Sequence, residues 1–242
     1  MRIFRQIILV SSLILGTNPL QAQDIHQHQQ WNQLLETYVD ADGNVNYKAF
    51  KQNEKRLDAY LSLLNENPPD KSWTQAQKKA YLINAYNAYT VKLIIDNYPL
   101  ESIRDIGGFF SNPFSTEFAK IGRKAYSLDD IEKGMLLKMG DPRVHFAVNC
   151  ASESCPKLAD EAYVASKLDE QLNAAARSFV NSNKNKLSRT DVELSKIFKW
   201  YASDFETDGN SVIKFINSYS DENISENASV SYLSYSWKLN EM

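Results

Sequence analysis

Residues 80–97 read AYLINAYNAYTVKLIIDN and are apolar almost all the way round a helical wheel. A helix with no polar face has to be enclosed by other elements, so this segment predicts a central buried helix with the rest of the domain wrapped around it. Thr74 is placed to cap its start, and Tyr98-Pro99 ends it, because proline cannot continue a helical ladder.

The flanking segments supply the wrapping. Trp31, Leu34, Leu35, Tyr38 and Val39 recur at helical spacing and stop at Asp40-Ala41-Asp42-Gly43. A short extended piece at Val45 and Tyr47 precedes a helix that turns Phe50, Leu57, Tyr60, Leu61 and Leu64 to one face. Residues 118–126 resemble a small hairpin about Gly122-Arg123, and Ser127 with Asp130 is a capping signature for a helix reaching about Met139. Alternation of Val144, Phe146 and Val148 predicts a strand over 144–149, and 168–180 reads as an amphipathic helix. A further strand is expected at 192–194 and a helix at 212–219. The sum is an α+β pattern, helix-rich, a single domain with a small central antiparallel or mixed sheet. Regular βαβ alternation and a phosphate-binding glycine loop are both missing from the pattern.

The ends and the charge limit the setting. Arg2 and Arg5, the apolar run 7–15 and the small residue Ala22 read as a signal peptide over 1–22, which predicts export to the periplasm or beyond. Residues 23–30 read as a flexible leader and 31–242 as the domain. No later apolar run has membrane length, so no stable membrane span is expected after cleavage. A formal charge of −3 with interspersed signs argues against nucleic acid, which requires a basic stripe.

Chemistry converges on 141–156, DPRVHFAVNCASESCP. This window holds both cysteines, Cys150 and Cys155, together with His145, the one histidine outside the Gln-rich stretch of His26 and His28. A thiol nucleophile needs a base and a third group to orient that base. His145 is the candidate base, and Glu132 the best-placed carboxylate, ahead of Glu153 and Asp141. In an extended strand His145 and Cys150 would lie roughly 16 Å apart, so a chain reversal at 151–154 would favour Cys155 as nucleophile. Backbone N–H groups of 154–157 would then receive the oxyanion. The competing expectation is a Cys150–Cys155 disulfide, which an exporting compartment permits. The spacing fits no standard zinc pattern, so no metal and no other cofactor is expected. Asn84 and Asn87, on nearly one face of the central helix, and Arg104 are candidate substrate-binding residues. Their alternatives are a polar network holding the loop 102–114 and an Arg104–Asp105 tether.

Several blocks carry a family resemblance: LLETYVDADGNVNYKAF, YLINAYNAYTVKLIIDNYPLESIRDIG, YSLDDIEKG, DPRVHFAVNCASESCPKL, LSKIFKWYASDF and SYLSYSWKLN. In this order and spacing the chain resembles the bacterial family called domain of unknown function 547. The resemblance implies a Glu-His-Cys triad of the thiol-peptidase or transglutaminase kind, falling on Glu132, His145 and Cys150 or Cys155. Lys133 stands where many relatives have histidine, and plant relatives have serine at the position of Cys155. The functional expectation is a thiol-dependent hydrolase or acyl transferase acting on amide-like bonds, with a peptide or envelope component as substrate. The alternative is a non-catalytic envelope module with paired cysteines, whose aromatic loop 109–118 docks a partner.

Overall fold

The computed structural model describes residues 24–107 and 112–242, so the expected signal peptide at 1–22 lies outside the described residues. Helix α1 (Gln29–Tyr38) is followed by α2 (Tyr47–Gln52) and α3 (Glu54–Glu66), which Asn53 separates where one helix was expected. The central helix α4 runs Gln75–Asn97 and is opened by a reciprocal Thr74–Gln77 capping box. Its residues 80–91 are all buried, Tyr81 and Tyr86 included, and α2 and α3 pack directly against it. The helix therefore has the enclosed position that its all-round apolar surface demands.

A hairpin of β1 (Ala119–Ile121) and β2 (Lys124–Tyr126) pairs Ile121 with Lys124 across a turn at Gly122. Helix α5 (Leu128–Ile131) starts from the Ser127–Asp130 capping box and widens into a π turn at Glu132–Leu136. Helix α6 (Leu168–Val180) leads to β3 (Lys186–Leu187) and β4 (Asp191–Leu194), then to α7 (Lys196–Trp200), α8 (Ala202–Phe205), α9 (Val212–Asn217) and β5 (Ser229–Tyr232). The second sheet is mixed, in the order β3-β4-β5, with β3 antiparallel and β5 parallel to β4. This is a helix-rich α+β domain with small sheets. Among the described residues no helix is long and apolar enough to cross a membrane.

Two apolar clusters meet at the residue 141–156 window. The larger surrounds α4 and takes in Val144, Ala147 and Val148; the smaller is built on Phe146, Phe179, Phe198, Phe205 and Phe215. The strand expected at 144–149 is instead a 3-10 helix, Pro142–Phe146. Asp141 caps it by accepting from Arg143 N–H, and Pro142 sits where its missing N–H costs nothing. Alternation over five residues cannot distinguish a strand from a turn that sends Val144 into one core and Phe146 into another.

The expected leader is also corrected. Ile25 and His28 are buried, and His28 Nδ1 hydrogen-bonds the Tyr60 hydroxyl at 2.8 Å. The fold thus contains a second enclosed histidine. Burial pulls its pKa down to about 3, so it sits in the core as a neutral ring.

Candidate functional site

The amides of α4 hold the window in place. Asn87 Nδ2 donates to the Ala147 carbonyl at 2.9 Å, and Asn149 N–H donates to Asn87 Oδ1 at 2.9 Å. Asn84 repeats the clamp one turn earlier, donating to Tyr163 O at 2.7 Å and accepting from Tyr163 N–H at 3.0 Å. Both side chains are buried, line neither of the two described cavities, and spend their amides on backbone groups. The backbone they hold is 147–149 and 163, not the loop 102–114.

Asn149 extends the framework by donating to Pro156 O at 2.7 Å and accepting from Ala151 N–H at 2.9 Å. Ala151 takes a left-handed conformation at φ 58°, and the chain reverses there. From the other side the C-terminal residues lace across: Glu153 N–H donates to Lys238 O and Ser236 N–H to Ser154 Oγ, both at 2.8 Å.

The reversal brings the cysteines to each other. Both are free, which removes the expected disulfide. Cys150 N–H donates to Cys155 Sγ at 2.9 Å, and Cys150 Sγ lies 3.3 Å from the Tyr235 hydroxyl and 3.2 Å from Ser152 Oγ. Burial alone would raise the Cys150 pKa, but hydrogen bonds from Cys155, Ser152 and Tyr235 outweigh it and bring the thiol below its usual range. Burial and the neighbouring Cys150 push Cys155 the other way, well up. Cys150 therefore ionises first, while Cys155 keeps its proton and offers it to the thiolate. This asymmetry favours Cys150 over Cys155 as the candidate nucleophile.

His145 does not join this sulfur cluster by any hydrogen bond. Its Nε2–H donates to Asp204 Oδ2 at 2.8 Å, and its ring lies against Tyr201, centroids 4.1 Å apart. Enclosure lowers the His145 pKa, with the Asp204 carboxylate opposing, so the ring is neutral near pH 7 and its lone pair is on Nδ1. Nδ1 makes no hydrogen bond to a described residue, and the side chain is buried. The carboxylate that orients the imidazole is Asp204, not Glu132, Glu153 or Asp141. Asp141 is taken by Lys79 at 2.7 Å and Arg143 at 2.9 Å, and Glu153 by Ser236 at 2.9 Å.

Glu132 sits at the mouth of the π turn, a distortion that recurs at functional positions, and accepts from the Tyr201 hydroxyl at 2.7 Å. Burial raises its pKa, with Tyr201, Lys133 and Tyr86 pulling the other way. Glu132, His145, Cys150, Cys155, Tyr201 and Tyr235 all line one cavity of about 390 Å³. Phe114, Trp200 and Trp237 complete its aromatic rim. Arg104 is excluded from it: the guanidinium lies over the Trp237 ring, 5.4 Å from its centroid. The tether to Asp105 is absent too, because the Asp105 carboxylate caps Ser102 N–H. The oxyanion donors expected at 154–157 are depleted, since Cys155 N–H is bonded to Ser152 O and Pro156 has no N–H.

Residues 71–180 match the family described as "Protein of unknown function, DUF547". The match covers 110 of the chain's 242 residues. No curated protein and no solved structure matches the chain. The matched segment carries Glu132, His145, Cys150 and Cys155, whereas Tyr201, Asp204 and Tyr235 come from beyond it. Sequence reasoning missed those three. The family-like blocks 194–205 and 231–240 were the available signal, since all three fall inside them.

Proposed function

We propose that this protein is a thiol-dependent hydrolase or acyl transferase acting on amide-like bonds. The supporting observation is the pairing, in one cavity, of a thiol lowered in pKa with a neutral imidazole that a carboxylate holds by its far nitrogen. Cys150 is the nucleophile, His145 the base and Asp204 the positioning residue. A cavity of about 390 Å³ is within the usual range for small ligands or one side chain with its flanking amides.

In this reading His145 Nδ1 takes the Cys150 proton, and the thiolate adds to the carbonyl carbon. The C–N bond then breaks, the amine leaves with the proton from the imidazolium, and a thioester remains. Water or an acceptor amine, deprotonated by His145, attacks that thioester; the thiolate leaves and is reprotonated. Ser152 Oγ–H, the Tyr235 hydroxyl, which burial keeps protonated, and Cys155 S–H surround the sulfur as donors. Glu132, held towards its neutral form, is a further proton source in the same space. The contact between base and thiol closes on substrate binding, as is common for catalytic hydrogen bonds that are long without substrate. The charged-then-apolar N-terminal pattern supports placing this reaction outside the cytoplasm.

The test is limited alkylation with iodoacetamide followed by peptide mapping. Cys150 should be modified first, and His145→Ala should slow that modification in a protein that still melts cooperatively. Preferential modification of Cys155, or a rate indifferent to His145, would remove this mechanism.

A further inference from the structure

The mixed sheet has two edges of different character. At one, β3 is two residues long and begins with Lys186, a short and charged edge of the kind that discourages strand addition. At the other, β5 and its continuation read SVSYLSYS over 229–236, with no Lys, Pro or Gly, and all four residues of the strand are exposed. Val230 and Tyr232 are 42% and 37% exposed, high for large apolar side chains in a strand.

The hydrogen-bond phase fixes what this edge offers. Ser229 N–H donates to Thr190 O and Leu233 N–H to Leu194 O, so odd-numbered residues address β4. In a parallel ladder the residues between direct both N–H and C=O to the opposite side. Val230 and Tyr232 therefore present their backbone groups outward. The same chain then enters the cavity wall: Tyr235 contacts Cys150, and Trp237 stands beside it. From Tyr232 to Tyr235 is about 10 Å of extended chain.

We propose that the free edge of β5 is a substrate subsite that takes an extended polypeptide as an added parallel strand, delivering its C-terminal carbonyl to Cys150. This names the substrate class of the thiol reading above and rests on it for the chemistry. Backbone pairing supplies affinity with little demand on sequence, the known behaviour of strand addition. The aromatic rim around Trp200 and Trp237 then receives the side chain nearest the reacting bond.

The experiment uses a six-residue alternating Thr/Val peptide as its C-terminal amide and as its C-terminal aldehyde. Saturation with the amide should slow hydrogen exchange at Val230 and Tyr232 by about tenfold or more, as expected for a ligand at ten or more times its Kd. The aldehyde should block iodoacetamide at Cys150. The same peptide N-methylated at alternate residues should do neither, and Val230→Pro, which deletes one outward N–H, should weaken the amide's protection. Unchanged exchange at the edge with millimolar peptide overturns the proposal, as does an N-methylated peptide that protects equally well. Edge protection that appears without peptide and grows with protein concentration assigns the edge to a second copy and also overturns it. If Cys150 proves inert while peptide still protects the edge, the thiol reading fails and the edge remains a peptide site.

Discussion

Replacing Asn87 with Leu tests the clamp on which the site depends. The substitution keeps the approximate shape of the side chain and removes its donor and acceptor together. The Ala147 carbonyl and the Asn149 N–H, which it bonds at 2.9 Å each, are then left without partners. Those residues are 1% and 3% exposed, so solvent does not replace the amide. A buried unsatisfied polar group costs about 1–3 kcal/mol, which places the variant about 2–5 kcal/mol below the parent. For a domain of this size that is a fall in Tm of roughly 5–15 °C. Urea melts followed by circular dichroism give the free-energy difference, and iodoacetamide modification of Cys150 without urea reports on site geometry. Asn87→Asp should also be costly, because it retains an acceptor for Asn149 N–H but buries a charge facing a carbonyl oxygen. An Asn87→Leu protein within about 0.5 kcal/mol of the parent, the range of ordinary surface changes, would refute the clamp.

Further outcomes are expected from the same geometry. Asp204→Asn should slow Cys150 alkylation with little change in Tm, because it removes the charge that opposes burial at His145 but leaves an acceptor; an unaltered rate by timed mass spectrometry counts against the pair. The pH dependence of Cys150 alkylation should have its midpoint below the roughly 8.5 of a free thiol, and Tyr235→Phe should move it upward. His28 binds its proton more weakly folded, at about 3, than unfolded at about 6.5, so its contribution is complete above the unfolded value and is lost as pH falls towards 3. Stability by urea melt should therefore drop about 2 kcal/mol from this group between pH 7 and pH 5, and His28→Gln should flatten that part of the profile. Gly43→Ala should lower Tm, since Gly43 has φ +82° and an added Cβ would run into the Cβ and backbone of Lys157; an unchanged melt would show that the turn is free to move.

The sequence determined the frame. An all-round apolar run between Thr74 and Pro99 can only be a buried helix, and capping pairs such as Ser127 with Asp130 are local chemistry that needs no distant partner. It also singled out the candidate site, because the two cysteines and His145 fall within one short window. The tertiary structure decided the partnerships. Whether 144–149 is strand or turn depended on which core received Phe146, and that core is assembled from residues as far along the chain as Ile224. Which thiol ionises depended on the Tyr235 hydroxyl arriving from the C-terminal tail, and which carboxylate holds His145 depended on where α8 comes to rest. Residue spacing encodes periodicity and caps; it does not encode the desolvation and long-range hydrogen bonds that set a pKa, because those exist only once the chain has closed around the site.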